Sequence, residues 1–188
     1  RNVRRNKVQT MNHKLPWVAE RVRLFRESDA DFARWARGFG PIVHNDQTQL
    51  RVHDLAQMLV AGGKASDTAS VYRTLWAADR LAAAGMWLTV HMTYADRVYP
   101  DGREMAAGDF KGTPEGHTGG SLNIVPAYVG YLAANALSGL TRGWLMGQGH
   151  CVAGIDACNL LVGNMTPRHA ERYDRSESGL TRFARDFY

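Results

Sequence analysis

Trp144-Leu145-Met146-Gly147-Gln148-Gly149-His150 is the stretch on which the fold class turns. Three apolar residues run into a glycine-x-glycine turn, and a helical pattern follows over 152–162, closed by Gly163-Asn164. Strand, glycine turn and helix in that order is the grammar of an open α/β sheet, where ligands sit at the carboxyl ends of strands. The run 144–146 suits a short, buried parallel strand. Gly147 and Gly149 would let backbone amides approach an anion closely, with the helix N-terminus adding a favourable dipole. Glycines at such a junction also serve simply to make the turn.

Upstream, Gly116-His117-Thr118-Gly119-Gly120 repeats the design: a histidine among glycines, just ahead of a helical pattern over 121–137. Leu122, Val125, Val129 and Leu132 form the core side of that helix. Pro126 removes one of its backbone hydrogen bonds, which predicts a kink or a later start near Val125. The two turns together are more specific than either alone. Two imidazoles, each at a helix start, could serve one anionic, proton-transferring site.

Toward the N-terminus the pattern is helical. Ser28 is a candidate N-cap, followed by Phe32, Trp35 and Phe39 at helical spacing, with Gly38 and Gly40 as the stop. Residues 48–60 form a second candidate helix, ended by Gly62-Gly63. Asp67 looks like the N-cap of a longer one, with Val71, Tyr72, Leu75, Trp76 and Leu81 as its stripe and a run of alanines favouring helix. Gly85 either ends it, leaving 86–90 as a buried strand, or lies within it; periodicity does not settle so short a run. Between Tyr94 and Gly116, turn signals such as Pro100-Asp101-Gly102 predict a long irregular loop, and loops of that length are usually functional or mobile. Asp96, Arg97, Asp101, Arg103 and Lys111 make it either a sugar-phosphate lid or a solvated loop.

With 188 residues, 45 % hydrophobic and 22 % charged, the chain has the composition of a soluble globular protein. No apolar run reaches the length of a membrane span, so no membrane partner is expected. The chain opens at Arg1 without an apolar leader, taken as a processed or trimmed end. The net charge of +5 is localised: eight basic residues and Glu20 leave residues 1–26 at +7 and the remainder at −2. No nucleic-acid motif accompanies that arm, so the favoured role is packing on another part of a larger protein rather than binding nucleic acid. Two cysteines, Cys151 and Cys158, indicate a reducing, cytoplasmic setting and small buried residues rather than a zinc site.

Gly116-His117-Thr118-Gly119-Gly120-Ser121-Leu122-Asn123, Gly147-Gln148-Gly149-His150 and Ser178-Gly179-Leu180-Thr181-Arg182-Phe183 occur in an order that resembles the phosphoketolases, relatives of transketolase. Trp76-Ala77-Ala78-Asp79-Arg80-Leu81 and Met86-Trp87-Leu88 look like that family's first long helix, and on that match the helix continues through Gly85. The likeness covers about 71–183. It implies an α/β class with a partial thiamine-diphosphate-binding (pyrophosphate-domain) fold, helix-rich with a short parallel sheet. Residues 1–66 would be a basic arm with short helices, and 67–188 the amino-terminal part of the pyrophosphate-binding domain, truncated before the metal motif.

The activity implied is that of a carbon–carbon lyase. It would cleave a ketose phosphate, xylulose 5-phosphate, with inorganic phosphate to acetyl phosphate and an aldose phosphate. Thiamine diphosphate and Mg2+ would be the cofactors, the remainder of the same enzyme and a second copy in a homodimer the partners. His117 and His150 would reach the cofactor's reacting end and the sugar oxygens, and Gly116, Gly147, Gln148 and Gly149 would lie against the cofactor. His91, at the end of an apolar run beside the loop, is either a third site histidine or a satisfied buried one.

The chain also departs from the family. Gln148 stands in place of a proline, Cys151 of a glycine, Thr118 of a tryptophan and Gly120 of a threonine on the substrate side. These changes admit another reaction on xylulose 5-phosphate, an epimerisation or a transketolase-like transfer, or a non-catalytic scaffold subunit. The Gly-Asp-Gly stretch that would hold magnesium does not occur, nor does the activating glutamate, so both are expected beyond residue 188 and the chain alone is expected to be inactive.

Overall fold

The computed structural model describes residues 15–187. The basic positions of the arm from Arg1 to Lys14, and His13 with them, lie outside the described residues. The remainder forms eight α-helices: α1 (Pro16–Ser28), α2 (Ala30–Ala36), α3 (Asp46–Ala61), α4 (Thr68–Tyr94), α5 (Thr118–Ser138), α6 (Val152–Val162), α7 (Pro167–Arg172) and α8 (Glu177–Asp186). None of these helices is long and apolar enough to cross a membrane.

Local chemistry explains most boundaries. Asp29, Asn45, Asp67, Thr166 and Ser176 cap α2, α3, α4, α7 and α8 by accepting a first-turn backbone N–H. Ser28 is not the cap expected of it. It ends α1, its hydroxyl donating to the Leu24 carbonyl, and the neighbouring Asp29 does the capping. α4 runs through Gly85, which excludes a strand at 86–90. α5 begins well before Pro126 and carries it inside the helix, so the later start also fails.

The short parallel sheet, and with it the α/β class, is absent: among the described residues the chain is all-helical, with only two isolated bridges, Phe39 to Ile42 and Ala95 to Phe110. The segment 144–146 shows why. Leu145 is 98 % exposed, whereas a buried strand would have covered it. Trp144 instead packs its ring on Tyr128 and Tyr131, with centroids 5.2 Å apart in both cases. The Tyr131 hydroxyl donates to the Arg142 carbonyl, and the Arg142 guanidinium donates to Asn135 and Ser138. Side chains pin this stretch to the second half of α5, and no neighbouring strand takes its backbone groups.

α4 is the axis of the molecule. Its first turns carry Val71 and Tyr72 into a core with Val18, Val22, Phe32 and Trp35 from α1 and α2. Midway, Ala82 meets Val125 and Val129 of α5 and Cys158 of α6. Toward its end, Leu88 and Met92 pack with Ala157 and Leu160 of α6 and with Leu180, Phe183 and Ala184 of α8. Each fully buried side chain of this size contributes about 1.5–3 kcal/mol relative to exposure.

Glycines bring the helices close. A Cβ at Gly85 would lie 2.9 Å from Cys158 Sγ and 3.1 Å from a Val125 methyl. One at Gly154 would lie 2.6 Å from the Ser121 carbonyl and 2.9 Å from Ile124. Hence α6 meets the backbone of α5 at Gly154, and α4 presses its own backbone onto side chains of both at Gly85.

The loop after α4 is strapped rather than structureless. The amides of Asp96 and Arg97 donate to the Asp109 carbonyl, and the Lys111 amide donates to Tyr94. The half-buried Lys111 ammonium donates to the carbonyls of Met92, 2.7 Å, and Phe187, 2.9 Å. Desolvation holds its pKa below the ordinary lysine value.

His44 and Asp79 form a pair that packing alone explains. His44 Nε2 lies 2.8 Å from Asp79 Oδ2, the side chains are 12 % and 10 % exposed, and the imidazole stacks on Trp35. Three outcomes are expected in urea denaturation. Gly154→Ala loses about 1–3 kcal/mol by overpacking, whereas Gly130→Ala, where a Cβ meets nothing, gains about 0.5–1 kcal/mol from helix propensity. His44→Ala costs about 3 kcal/mol, because it leaves the Asp79 carboxylate buried without its partner.

Candidate functional site

His117 and His150 come together. Their ring centroids are 4.9 Å apart, at an interplanar angle of 62°, and both residues are exposed. His117 is the N-cap residue of α5, and its side chain makes no capping bond, which leaves the imidazole available. His150 sits in the single 3-10 turn Gly149–Cys151 that leads into α6. Neither α5 nor α6 has a side-chain cap, in contrast to α2, α3, α4, α7 and α8. The start of α5 thus presents first-turn N–H groups without a side-chain cap, a favourable place for anionic or polyol oxygens, whereas the amides of Cys151 and Val152 at the entry to α6 are taken by the Gln148 and Gly149 carbonyls.

The surrounding glycines divide into two kinds. Gly116 has φ +117°, a conformation that L side chains rarely adopt, so the turn itself demands glycine. Gly147 and Gly149 have no positive φ, and a Cβ on either would meet nothing. The fold requires glycine at neither, and the surface beside the pair is open to whatever approaches it. Gln148 is exposed between them.

Beneath the pair lies a tight contact. A Cβ at Gly120 would fall 2.7 Å from Cys151 Sγ and 3.5 Å from the His150 ring. Cys151 is buried, and its side chain occupies the space that Gly120 leaves. The two positions are complementary, one without a side chain where the other projects its thiol. Ser121, next along α5, is 1 % exposed, and its hydroxyl has no hydrogen-bond partner in the structure. The other thiol, Cys158, is pushed up to about 12 by burial.

His91 is placed elsewhere. It lies on α4 with Nδ1 2.8 Å from the Trp87 carbonyl and its ring against the Trp87 indole. Because a carbonyl can only accept, Nδ1 carries the hydrogen, and Nε2 is the nitrogen left over. No hydrogen bond or ring contact joins His91 to His117 or His150. Its neighbour one turn on, Tyr94, does reach the site's edge, where the Thr118 hydroxyl donates to the Tyr94 hydroxyl across 3.3 Å. Neither Ser121 nor Tyr94 was a sequence candidate. Ser121 sits inside the histidine motif, whereas the Tyr94 contact depends on how α4 meets α5.

The described residues include no group of three His, Cys, Asp or Glu able to hold a metal ion. Comparison with protein-family models, with curated proteins and with solved structures finds no match for this chain.

The Gly120–Cys151 contact yields a stability test. Gly120→Thr is expected to lose about 1–3 kcal/mol by overpacking and to shift the His150 imidazole signals in NMR spectra. Adding Cys151→Gly to that variant returns the signals and most of the stability.

Proposed function

We propose that the chain is part of a thiamine-diphosphate-dependent enzyme of the phosphoketolase type, which cleaves xylulose 5-phosphate with inorganic phosphate to acetyl phosphate and an aldose phosphate. The observation that carries this reading is the meeting of His117, at the start of α5, with His150, in the turn that leads into α6. The motif order shared with the phosphoketolases supports it from the sequence side.

The residues present fit one end of the cofactor. Backbone at Gly147 and Gly149 is open to close approach, Gly116, Gln148 and the histidines border it, and the turn from Gly147 to Cys151 contains no carboxylate to repel a diphosphate. Among the described residues no group of three His, Cys, Asp or Glu could hold the magnesium. Thiamine diphosphate, when bound, supplies the carbanion and the electron sink for carbon–carbon cleavage.

His117 and His150 bind the hydroxyl and carbonyl oxygens of the sugar, and their ring nitrogens take and return protons in the reaction. The first-turn amides of α5, which have no side-chain cap, hold negative charge in place. A homodimer belongs to the same proposal.

The test uses the product of the whole gene with xylulose 5-phosphate, phosphate, Mg2+ and thiamine diphosphate. Acetyl phosphate is expected to accumulate, and His150→Ala to lower kcat about 10²- to 10⁴-fold with an unchanged thermal midpoint. Ribulose 5-phosphate in place of acetyl phosphate overturns the lyase in favour of an epimerase on the same pair. Full activity in the variant removes His150 from the site.

A further inference from the structure

A second cluster of polar side chains lies on α8, distant in character from the histidine pair. Ser178, Thr181, Arg182 and Arg185 recur at helical spacing on the face opposite the buried Leu180, Phe183 and Ala184. Arg172, from the last turn of α7, and Arg97, from the segment after α4, close on that face and with it line a cleft of about 790 Å3. That volume lies in the range of small-molecule pockets, about 300–1,000 Å3.

Two carboxylates line the cleft, and both are already engaged. Glu177 pairs with Arg103, while Asp186 accepts from Arg172 and from the Tyr173 hydroxyl. Arg97, Arg182 and Arg185 form no ion pair among the described residues. Arg185 Nε donates to the Asp96 carbonyl, 2.8 Å, and Arg182 Nη1 donates to the Arg172 carbonyl, 3.3 Å. Those bonds orient two guanidiniums; Arg182 feels the carboxylates of Asp174 and Asp186 without an ion pair to either, and Arg185 forms no ion pair among the described residues. Thr181 Oγ1 accepts from the Val98 amide, which holds the Arg97 segment against α8.

Like charges gathered on one face repel, and an anion bound among them relieves that repulsion. Guanidinium forks match phosphate oxygens two at a time. Asp174, Glu177 and Asp101 interrupt the positive surface around the cleft, which disfavours an extended polyanion and favours a small one. We propose that this cleft binds the phosphate group of a small phosphate monoester. The cleft shares no residue with the His117–His150 pair, although Ser178, Thr181 and Arg182 belong to a motif that enters the phosphoketolase resemblance.

Calorimetric titration of the 188-residue chain with ribose 5-phosphate at fixed ionic strength tests it. Saturable binding is expected, with inorganic phosphate competing and chloride not. Arg182→Gln combined with Arg185→Gln weakens binding about a hundredfold, about ten per lost charge-assisted contact, with the thermal midpoint retained. Arg97→Gln, on a separate segment, weakens it about tenfold and decides the matter if the double variant fails to fold. Four results overturn the proposal: no saturable binding, variants that bind like the parent, inorganic phosphate bound but ribose 5-phosphate not, or single-stranded RNA bound more tightly and not displaced by phosphate.

Discussion

Close approach of α4, α5 and α6 is the constraint on which the rest depends. Gly85 and Gly154 have no room for a Cβ, so these helices pack at a separation that any other residue would widen. The cost is flexibility that glycine brings to a helix interior, about 1 kcal/mol each relative to alanine. What offsets it is burial on three sides of α4, where apolar clusters succeed one another along its length. Because α5 and α6 are set so closely, their N-terminal ends are also brought together, and His117 meets His150. The pair is thus a product of helix packing and needs no sheet to position it.

Much of the helical organisation was legible in the sequence. Asp67 as the cap of α4, the alanine-rich interior, and a helix over Val152–Val162 closed by glycine all follow from local chemistry. The α/β class failed at three residues. Trp144, Leu145 and Met146 have the composition of a buried strand, but strand identity depends on a neighbour to pair with, and composition carries no information about that neighbour. In the structure the indole finds two tyrosines of α5 instead.

The candidate site was legible in part for the same reason. Its two turns are local features, so the motifs around His117 and His150 could be read directly. Contacts across the chain could not. His44 and Asp79 are 35 residues apart and share no periodic signal. The polar stripe on α8 was readable from its spacing, but the convergence of Arg97 and Arg172 upon it depends on how the loop after α4 is strapped. His91 shows the complementary case, a histidine singled out by its surroundings in sequence whose one fixed bond is to its own helix.

The contact between Gly120 and Cys151 couples the two positions under substitution. Any side chain at 120 sets its Cβ 2.7 Å from the sulfur, whereas shortening Cys151 leaves only a void, a milder defect of about 1 kcal/mol. Change at the two positions is therefore ordered: position 120 accepts a side chain only once the thiol has gone, and the floor beneath His150 varies more readily in one direction than in the other.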